Sequence, residues 1–520
     1  MQKSKIYTSR EESMVVTKGL AIGSALIFLV WLLFFGYALH DVGTKYSPDS
    51  YALFMLGQNL LGGHGFSSIA IRDLYATPAV YLESTGFPPL FAVLGAAIGK
   101  LFKVDIAATL YINFLIVLGL TCTWYRKALS LSACSLVIFT CFVIFLFSNV
   151  GIYDEIVAGR TIPLSLLLLT GIFILADGTS LRARGAIGLG VLAGLMILNR
   201  FDSMIFALIM PLVVLLCTRT KPRNIVLIYA TIALVISPWI IRNLHVFHKF
   251  WVADNSLTVL STYAHTNRIT YFKDGVPLYR DDPSLWISQR LQYAVENAKL
   301  ILDLLAPYGG GMLLVAMLIV CSLSRSLFSE DDEKRLFVTL SAVWVVCNVA
   351  TISLTPFHDT RYFAISVLLI VLNSALLFLH WIERKVDAKR LRLPAINMYV
   401  SVPLLAAAVF VLHSQHVRLN YKNQTGVFSQ LNADFASKLS PTELVGTPMA
   451  EDFSYYTHRR AIYLPINVGA VDDNFIAWAK RWNIQHVIVD NAHVFNNDNV
   501  HFVREAASAT YVLLKLVPTN

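Results

Sequence analysis

Residues 19–39 read GLAIGSALIFLVWLLFFGYAL, with no charged side chain, and are closed on the carboxyl side by His40 and Asp41. A helix rises about 1.5 Å per residue, so a run of this length covers the roughly 30 Å of hydrocarbon in a bilayer. It lacks a small-residue cleavage site before the polar stretch at His40 and reads as a retained first span, not a secretory leader. Further apolar runs follow at 105–125, 131–149, 160–176, 186–201, 203–217, 224–241, 303–323, 336–355, 364–382 and 396–413, which makes about eleven transmembrane helices. Composition agrees: of 520 residues, 56% are hydrophobic and 14% charged, against about 25% charged in a soluble domain, and the mean hydropathy is +0.60. The expected class is a polytopic α-helical membrane protein.

The net charge of +9 does not indicate nucleic acid, because the basic residues gather in short connections between spans. Arg126 and Lys127, Arg182 and Arg184, the group Arg219, Lys221 and Arg223, and the group Arg384, Lys385, Lys389, Arg390 and Arg392 all behave this way. So does the N-terminal segment 1–18, with Lys3, Lys5, Arg10 and Lys18. By the positive-inside rule these segments are cytoplasmic. Parity then requires the apolar run 87–102 not to cross, which suits a short helix that begins at Pro88-Pro89 and skims the outer face. The outer segments are a first loop at 40–104, 150–159, a long loop at 242–302, 356–363 and a tail from 414 to 520. The tail alternates β-like runs at 460–464, 486–490 and 511–517 with a helical stretch at 474–482, the pattern of a small extracytoplasmic α/β domain. All six cysteines lie within the spans and match no zinc or disulfide spacing, so they read as small buried hydrophobes.

Within the spans the polar residues are mainly amides such as Asn113, Asn348 and Asn373. Coupled transporters usually carry carboxylates there, so their scarcity counts against transport, the rival reading. Acidic residues collect instead at outer span ends: Asp41, Asp49 and Glu83 in the first loop, Asp154 and Glu155 after the third span, Asp359 after the ninth. In the first loop Ser47 fits an N-cap, Pro48 the first helical position, and Gly62-Gly63 a stop, with Leu53, Leu56 and Leu60 at helical spacing. Asp49 then falls in the first turn, where it either complements the helix dipole or does chemistry. The aromatic-rich loop 242–302, including Phe247, Phe250 and Trp286, suits either stacking on a bound ligand or an interfacial belt.

The runs Asp49-Ser50-Tyr51, Asn59-Leu60-Leu61-Gly62-Gly63-His64-Gly65-Phe66 and Phe87-Pro88-Pro89-Leu90 resemble the first extracytoplasmic loop of the GT-C glycosyltransferases. That superfamily includes protein O-mannosyltransferases, aminoarabinose transferases of lipid A and mycobacterial arabinofuranosyltransferases. Tyr153-Asp154-Glu155, Asn199-Arg200-Phe201-Asp202, Ser237-Pro238-Trp239-Ile240-Ile241-Arg242-Asn243 and Arg361-Tyr362-Phe363 follow in the family's order. The sequence departs from the O-mannosyltransferases in lacking their large inserted domain and in having Asp-Ser at 49–50 where they have Asp-Glu, which counts against a protein acceptor.

The resemblance implies a GT-C fold and transfer of a sugar from a polyprenyl-phosphate donor to a glycan, lipid or protein acceptor at the extracytoplasmic face. A first-loop aspartate acts as base in that family, a role that falls to Asp49 by motif position, with Asp41 in reserve. Arg242 and Arg361 stand at outer span ends, where guanidinium offers paired donors to phosphate or snorkels to lipid headgroups. Arg200 and His358 are the assisting cations. Glu83, Asp154 and Glu155 are placed to orient the acceptor or to solvate loop ends. No metal or cofactor is expected. An envelope scaffold has no need of this outer charged ring, and a polymerase or ligase would use a diphosphate-linked donor.

Overall fold

Ser47 is extended (φ −75°, ψ 157°) and its side chain accepts the Ser50 N–H, Pro48 occupies the first turn, and Gly62 ends the helix. These local choices build helix α1, Pro48–Leu61. The structure is a computed structural model, and it describes residues 47–68, 70–71, 87–131, 152, 155–156, 158–176, 181–248, 250, 282–306, 332–355, 359–385, 435, 437–447, 450–464, 473–490, 502–507 and 511–517, with isolated positions 29 and 33. After α1 come a two-residue strand β1 (Ala70–Ile71) and helix α2 (Pro89–Phe102), which starts on the diproline and ends at Lys103 in the left-handed region. With 14 residues, α2 is about 21 Å long and falls short of a bilayer's hydrocarbon. It packs hard on α1, because Gly57 lets the Ala92 carbonyl approach to where a Cβ would otherwise sit 2.0 Å away.

The bundle continues with α3 (Ala107–Leu131), α4 (Ile162–Ala176), α5 (Ala183–Asn199), α6 (Met204–Cys217), α7 (Pro222–Phe247), α8 (Pro283–Leu305), α9 (Asp332–Ser353) and α10 (Thr360–Lys385). Among the described residues Ala107–Trp124, Pro222–Phe247 and Arg335–Ser353 are long and apolar enough to cross a membrane. The remaining apolar helices α4, α5, α6 and the described side chains of α10 are shorter. Expected spans at 131–149 and 396–413, and nearly all of 19–39 and 303–323, lie outside the described residues. Lipid tails are as apolar as leucine, so close backbone approach replaces the hydrophobic drive between membrane helices. Gly190 and Gly194 on α5 provide it, since added Cβ atoms would meet Thr231 Cβ at 2.6 Å and Val235 Cβ at 2.7 Å on α7.

One difference from expectation concerns 242–302, which is helical at both ends: α7 runs on through Phe247 and α8 begins at Pro283. Asp282 caps α8 by accepting the Leu285 N–H at 2.9 Å. Gln289, Tyr293, Asn297, Ile301 and Leu305 then form a buried stripe at every fourth residue. The stripe mixes amides with apolar groups, so a search for apolar runs passes over it.

The C-terminal part supplies β2 (Val445–Thr447), α11 (Ala450–Thr457), β3 (Ala461–Tyr463), α12 (Asp473–Arg481), β4 (His486–Asp490), β5 (Phe502–Ala507) and β6 (Tyr511–Leu516). The strands at 461–463, 486–490 and 511–516 and the helix at 473–481 fall where the sequence pattern puts them. Their sheet has the order β1-β3-β2-β4-β6-β5, parallel from β1 through β4 and antiparallel beyond. Strand β1 belongs to the first loop, so the tail is sewn to residues near α1 by the Ala70 to Ala461 and Ile71 to Ile462 register.

Candidate active site

The buried amides of the bundle act first as anchors. Asn113 on α3 donates through Nδ2 to the carbonyls of Glu155 (3.1 Å) and Arg160 (2.9 Å), which pins the turn ahead of α4. Asn199, the last residue of α5, donates to the Thr161 carbonyl (3.0 Å) and to Ser165 Oγ (2.8 Å). Gly159 holds φ +67° in that turn, with the Thr109 hydroxyl packed where a Cβ would lie. The start of α4 and the end of α5 are thereby fastened together, and the start of α10 meets them.

Four charged groups converge at this junction. Asp49 Oδ2 lies 2.9 Å from Arg361 Nη1 and 3.9 Å from Arg160 Nε. Glu155 Oε1 lies 3.2 Å from Arg160 Nη1 and 4.0 Å from Arg361 Nη1. Arg160 Nε also donates to Ser47 Oγ at 2.7 Å, so the residue that caps α1 is held by the same guanidinium. Ser50 donates to the Ala158 carbonyl and closes the contact between α1 and the turn. Glu155 is almost fully buried at 2% side-chain exposure, Asp49 retains 17% and Asp359 46%, so the cluster opens to solvent on the Asp359 side. Asp359 braces Arg361 through a 2.8 Å ion pair at Nε and accepts its backbone N–H at 3.0 Å.

Tyr362 extends the cluster. The Arg361 guanidinium lies 5.0 Å from its ring centroid and that of Arg200 lies 5.3 Å from the same ring, within cation–π range. Arg200 itself is gripped by Asp202, with Nη2 to Oδ2 at 2.6 Å and Nε to Oδ1 at 3.0 Å, and donates to Thr161 Oγ1 at 3.3 Å.

Of the residues singled out from sequence, Asp49, Glu155 and Arg361 stand in direct contact, and Arg200 joins them across Tyr362. Arg242 has a different setting: it donates to the Phe66 carbonyl at 3.2 Å and lies over the rings of Trp239 (4.8 Å), Phe247 (4.9 Å) and Phe66 (5.8 Å). It borders the Arg200 turn through the Phe201–Trp239 ring contact at 6.3 Å. Asp41, Glu83, Asp154 and His358 lie outside the described residues. Among the described residues no group of three His, Cys, Asp or Glu side chains is arranged to hold a metal ion. Arg160 was missed by the sequence reading, although it stands at the end of an expected span, the signal that picked out Arg242 and Arg361.

A helical bundle whose guanidinium and carboxylate groups gather at helix ends, joined to a small mixed sheet, defines an integral membrane protein with a cluster of charged side chains at one end of its helices. The whole architecture recurs in solved structures. ArnT from Cupriavidus metallidurans matches in the apo state (TM-score 0.56) and bound to undecaprenyl phosphate (TM-score 0.54), each at 11% identity over 96% of this chain and 98% of ArnT. Arabinofuranosyltransferase AftD from Mycobacteria matches at TM-score 0.50 and 14% identity over 97% of this chain, which spans 42% of AftD. No protein-family model and no curated sequence matches. The chain has the fold of the GT-C glycosyltransferases.

Proposed function

We propose that this chain transfers a sugar from a polyprenyl-phosphate carrier to an envelope glycan or lipid at the extracytoplasmic face. The observation that carries this reading is the Asp49–Arg361 contact, a carboxylate and a guanidinium that are distant in sequence and meet at the helix ends of a bundle whose fold is shared with ArnT. Sugar transfer from a phosphate needs a base at the acceptor hydroxyl and cations at the departing phosphate. Asp49 is the base, and Arg361 with Arg160 receives the phosphate, assisted by Arg200.

In this scheme the two roles are coupled. Arg361 Nη1 is engaged by Asp49 before substrate arrives, so the donor phosphate takes the place of the carboxylate on the guanidinium. Asp49 is then released toward the acceptor hydroxyl. As the new glycosidic bond forms at the anomeric carbon, the bond to the phosphate oxygen breaks, Asp49 takes the hydroxyl proton, and polyprenyl phosphate leaves on the two arginines. Asp359 keeps Arg361 aimed throughout through its Nε, and buried Glu155 holds Arg160. Arg242, caged by aromatic rings beside the site, suits recognition of the donor headgroup or of a sugar face.

The test is turnover of a panel of labelled polyprenyl-monophosphate sugars by purified protein in nanodiscs supplied with envelope extract. Wild type is expected to move label to an acceptor, and Asp49→Asn to lose at least about a hundredfold in kcat, the lower range for a general base. A wild type that turns over no lipid-linked sugar sinks the reading, whereas a fully active Asp49→Asn removes only the assignment of the base.

A further inference from the structure

Helix α1 has two buried faces. Leu53 and Leu56 join the core of the helical bundle, with Phe91 and Ala92 of α2. Tyr51, Phe54 and Met55, at the i, i+3, i+4 spacing of a second face, join a separate cluster with Phe435, Leu439, Val445, Phe453, Ile488 and Leu513 of the C-terminal part. The helix that carries Asp49 therefore forms part of that domain's packing surface.

At the centre of this face are three tyrosines. The Tyr51 hydroxyl is 2.9 Å from that of Tyr456, and the Tyr51 ring lies 4.8 Å from Tyr455 and 5.6 Å from Tyr456. Tyr455 and Tyr456 stack edge-on at 5.3 Å, and Tyr455 meets Phe54 at 6.4 Å. The Tyr455 hydroxyl also accepts the Ile106 N–H at 3.4 Å, just ahead of α3. Strand β1 fastens the far part of the same first loop to β3. Burial, reinforced by Asp105, pushes the Tyr455 phenol up to about 12, so it stays neutral across the physiological range.

We propose that the C-terminal domain is a positioning element for the reaction centre, with Tyr455 and Tyr456 of α11 clasping Tyr51 and so setting where α1 holds Asp49. Tyr51 follows Asp49 by two residues on one rigid helix, about 3 Å along its axis. A tilt at the clasp is delivered directly to the carboxylate, while Arg160 on Ser47 and the Ser50 contact to the Ala158 carbonyl hold the start of the helix. The inference rests on the assignment of Asp49 as base. It gives the domain a task that is exerted through α1, without any contact to substrate.

Tyr456→Phe removes one hydroxyl and keeps the ring, and Tyr51→Phe does the same from the other side. Loss of one hydrogen bond corresponds to roughly a fivefold change in an equilibrium. Tyr456→Phe should therefore speed amide exchange across residues 48–61 by about fivefold, leave exchange across 183–199 unchanged, and lower kcat by a similar factor at constant donor KM. The double variant should be no worse than either single one, because the two hydroxyls act as a unit. Unchanged exchange in 48–61, or faster exchange with unchanged kcat, overturns the proposal and leaves the transferase reading standing. A wild type without donor turnover removes that reading instead, and exchange in 48–61 then decides alone whether the domain holds the helix.

Discussion

Arg160 holds three groups at once: Ser47 Oγ at 2.7 Å, Glu155 at 3.2 Å and, at 3.9 Å, the carboxylate of Asp49. Planar guanidinium geometry allows this, and a lysine, with one point charge, holds fewer partners in fixed directions. Arg160→Ala is expected to raise the donor KM roughly tenfold to a hundredfold, as a charge-assisted hydrogen bond of about 1.5–3 kcal/mol is lost. Arg160→Lys should fall between wild type and alanine. Initial-rate kinetics over a donor series decide it, and an Arg160→Ala enzyme with wild-type KM would remove this residue from the phosphate site. Gly159 governs the same turn from the backbone. An alanine there is forced to φ +67° with its Cβ 2.3 Å from Thr109 Oγ1, so the turn must shift and carry Glu155 and Arg160 with it. Gly159→Ala is expected to cost about 1–3 kcal/mol in unfolding stability, read from thermal melts, and most of the activity.

Helices α1 and α2 approach each other more closely than side chains normally allow. Gly57→Ala would put a Cβ 2.0 Å from the Ala92 carbonyl oxygen, and because that oxygen is backbone, the two helices must part. A loss of about 1–3 kcal/mol is expected, whereas Gly119→Ala, on an open surface of α3, should be neutral or slightly stabilising. Paired melts in one detergent test this, and equal melting temperatures for both variants would contradict it. Most of the elements were legible because they write a local pattern: Ser47-Pro48 starts α1, Gly62 ends it, and period-two runs mark the strands at 486–490 and 511–516. Asp49, Glu155 and Arg361 were legible by the same logic, as charges at the ends of apolar runs. What joins the elements was not legible. Strand β1 has two residues and no pattern of its own, and Tyr51 meets Tyr456 across 405 positions, a separation that leaves no local mark. The buried stripe of α8 mixes two amides with Tyr293, Ile301 and Leu305, so neither a soluble nor a membrane template flags it.

At the scale of the molecule, the C-terminal sheet packs on α1 through Tyr51, Phe54 and Met55, so a change in the stability of the sheet bears on the helix that carries Asp49. His486 on β4 is buried with a carboxylate at each ring nitrogen, Glu443 at Nδ1 and Glu505 at Nε2 (3.1 Å), and Lys515 braces Glu505 at 3.3 Å. Both nitrogens can donate only in the imidazolium form. The Glu443 hydrogen bond accordingly holds the His486 pKa above its ordinary value of 6.5, against the opposing effect of burial. A pKa raised by folding means that the native state binds the proton more tightly than the unfolded chain does. The stabilisation is complete below about pH 6.5 and is lost as pH climbs through the folded value, with a limiting slope of about 1.4 kcal/mol per pH unit. Wild type should therefore lose stability as pH rises above about 6.5 relative to His486→Gln, which cannot titrate and should show a flatter profile. Amide exchange across 486–490, followed in both proteins over that range, reads the difference directly. A wild-type sheet that tightens relative to the variant as pH rises would reverse the sign and rule out a charged His486. If the clasp at Tyr51 transmits the loosening, exchange across 48–61 should rise with that of β4 in wild type and not in His486→Gln.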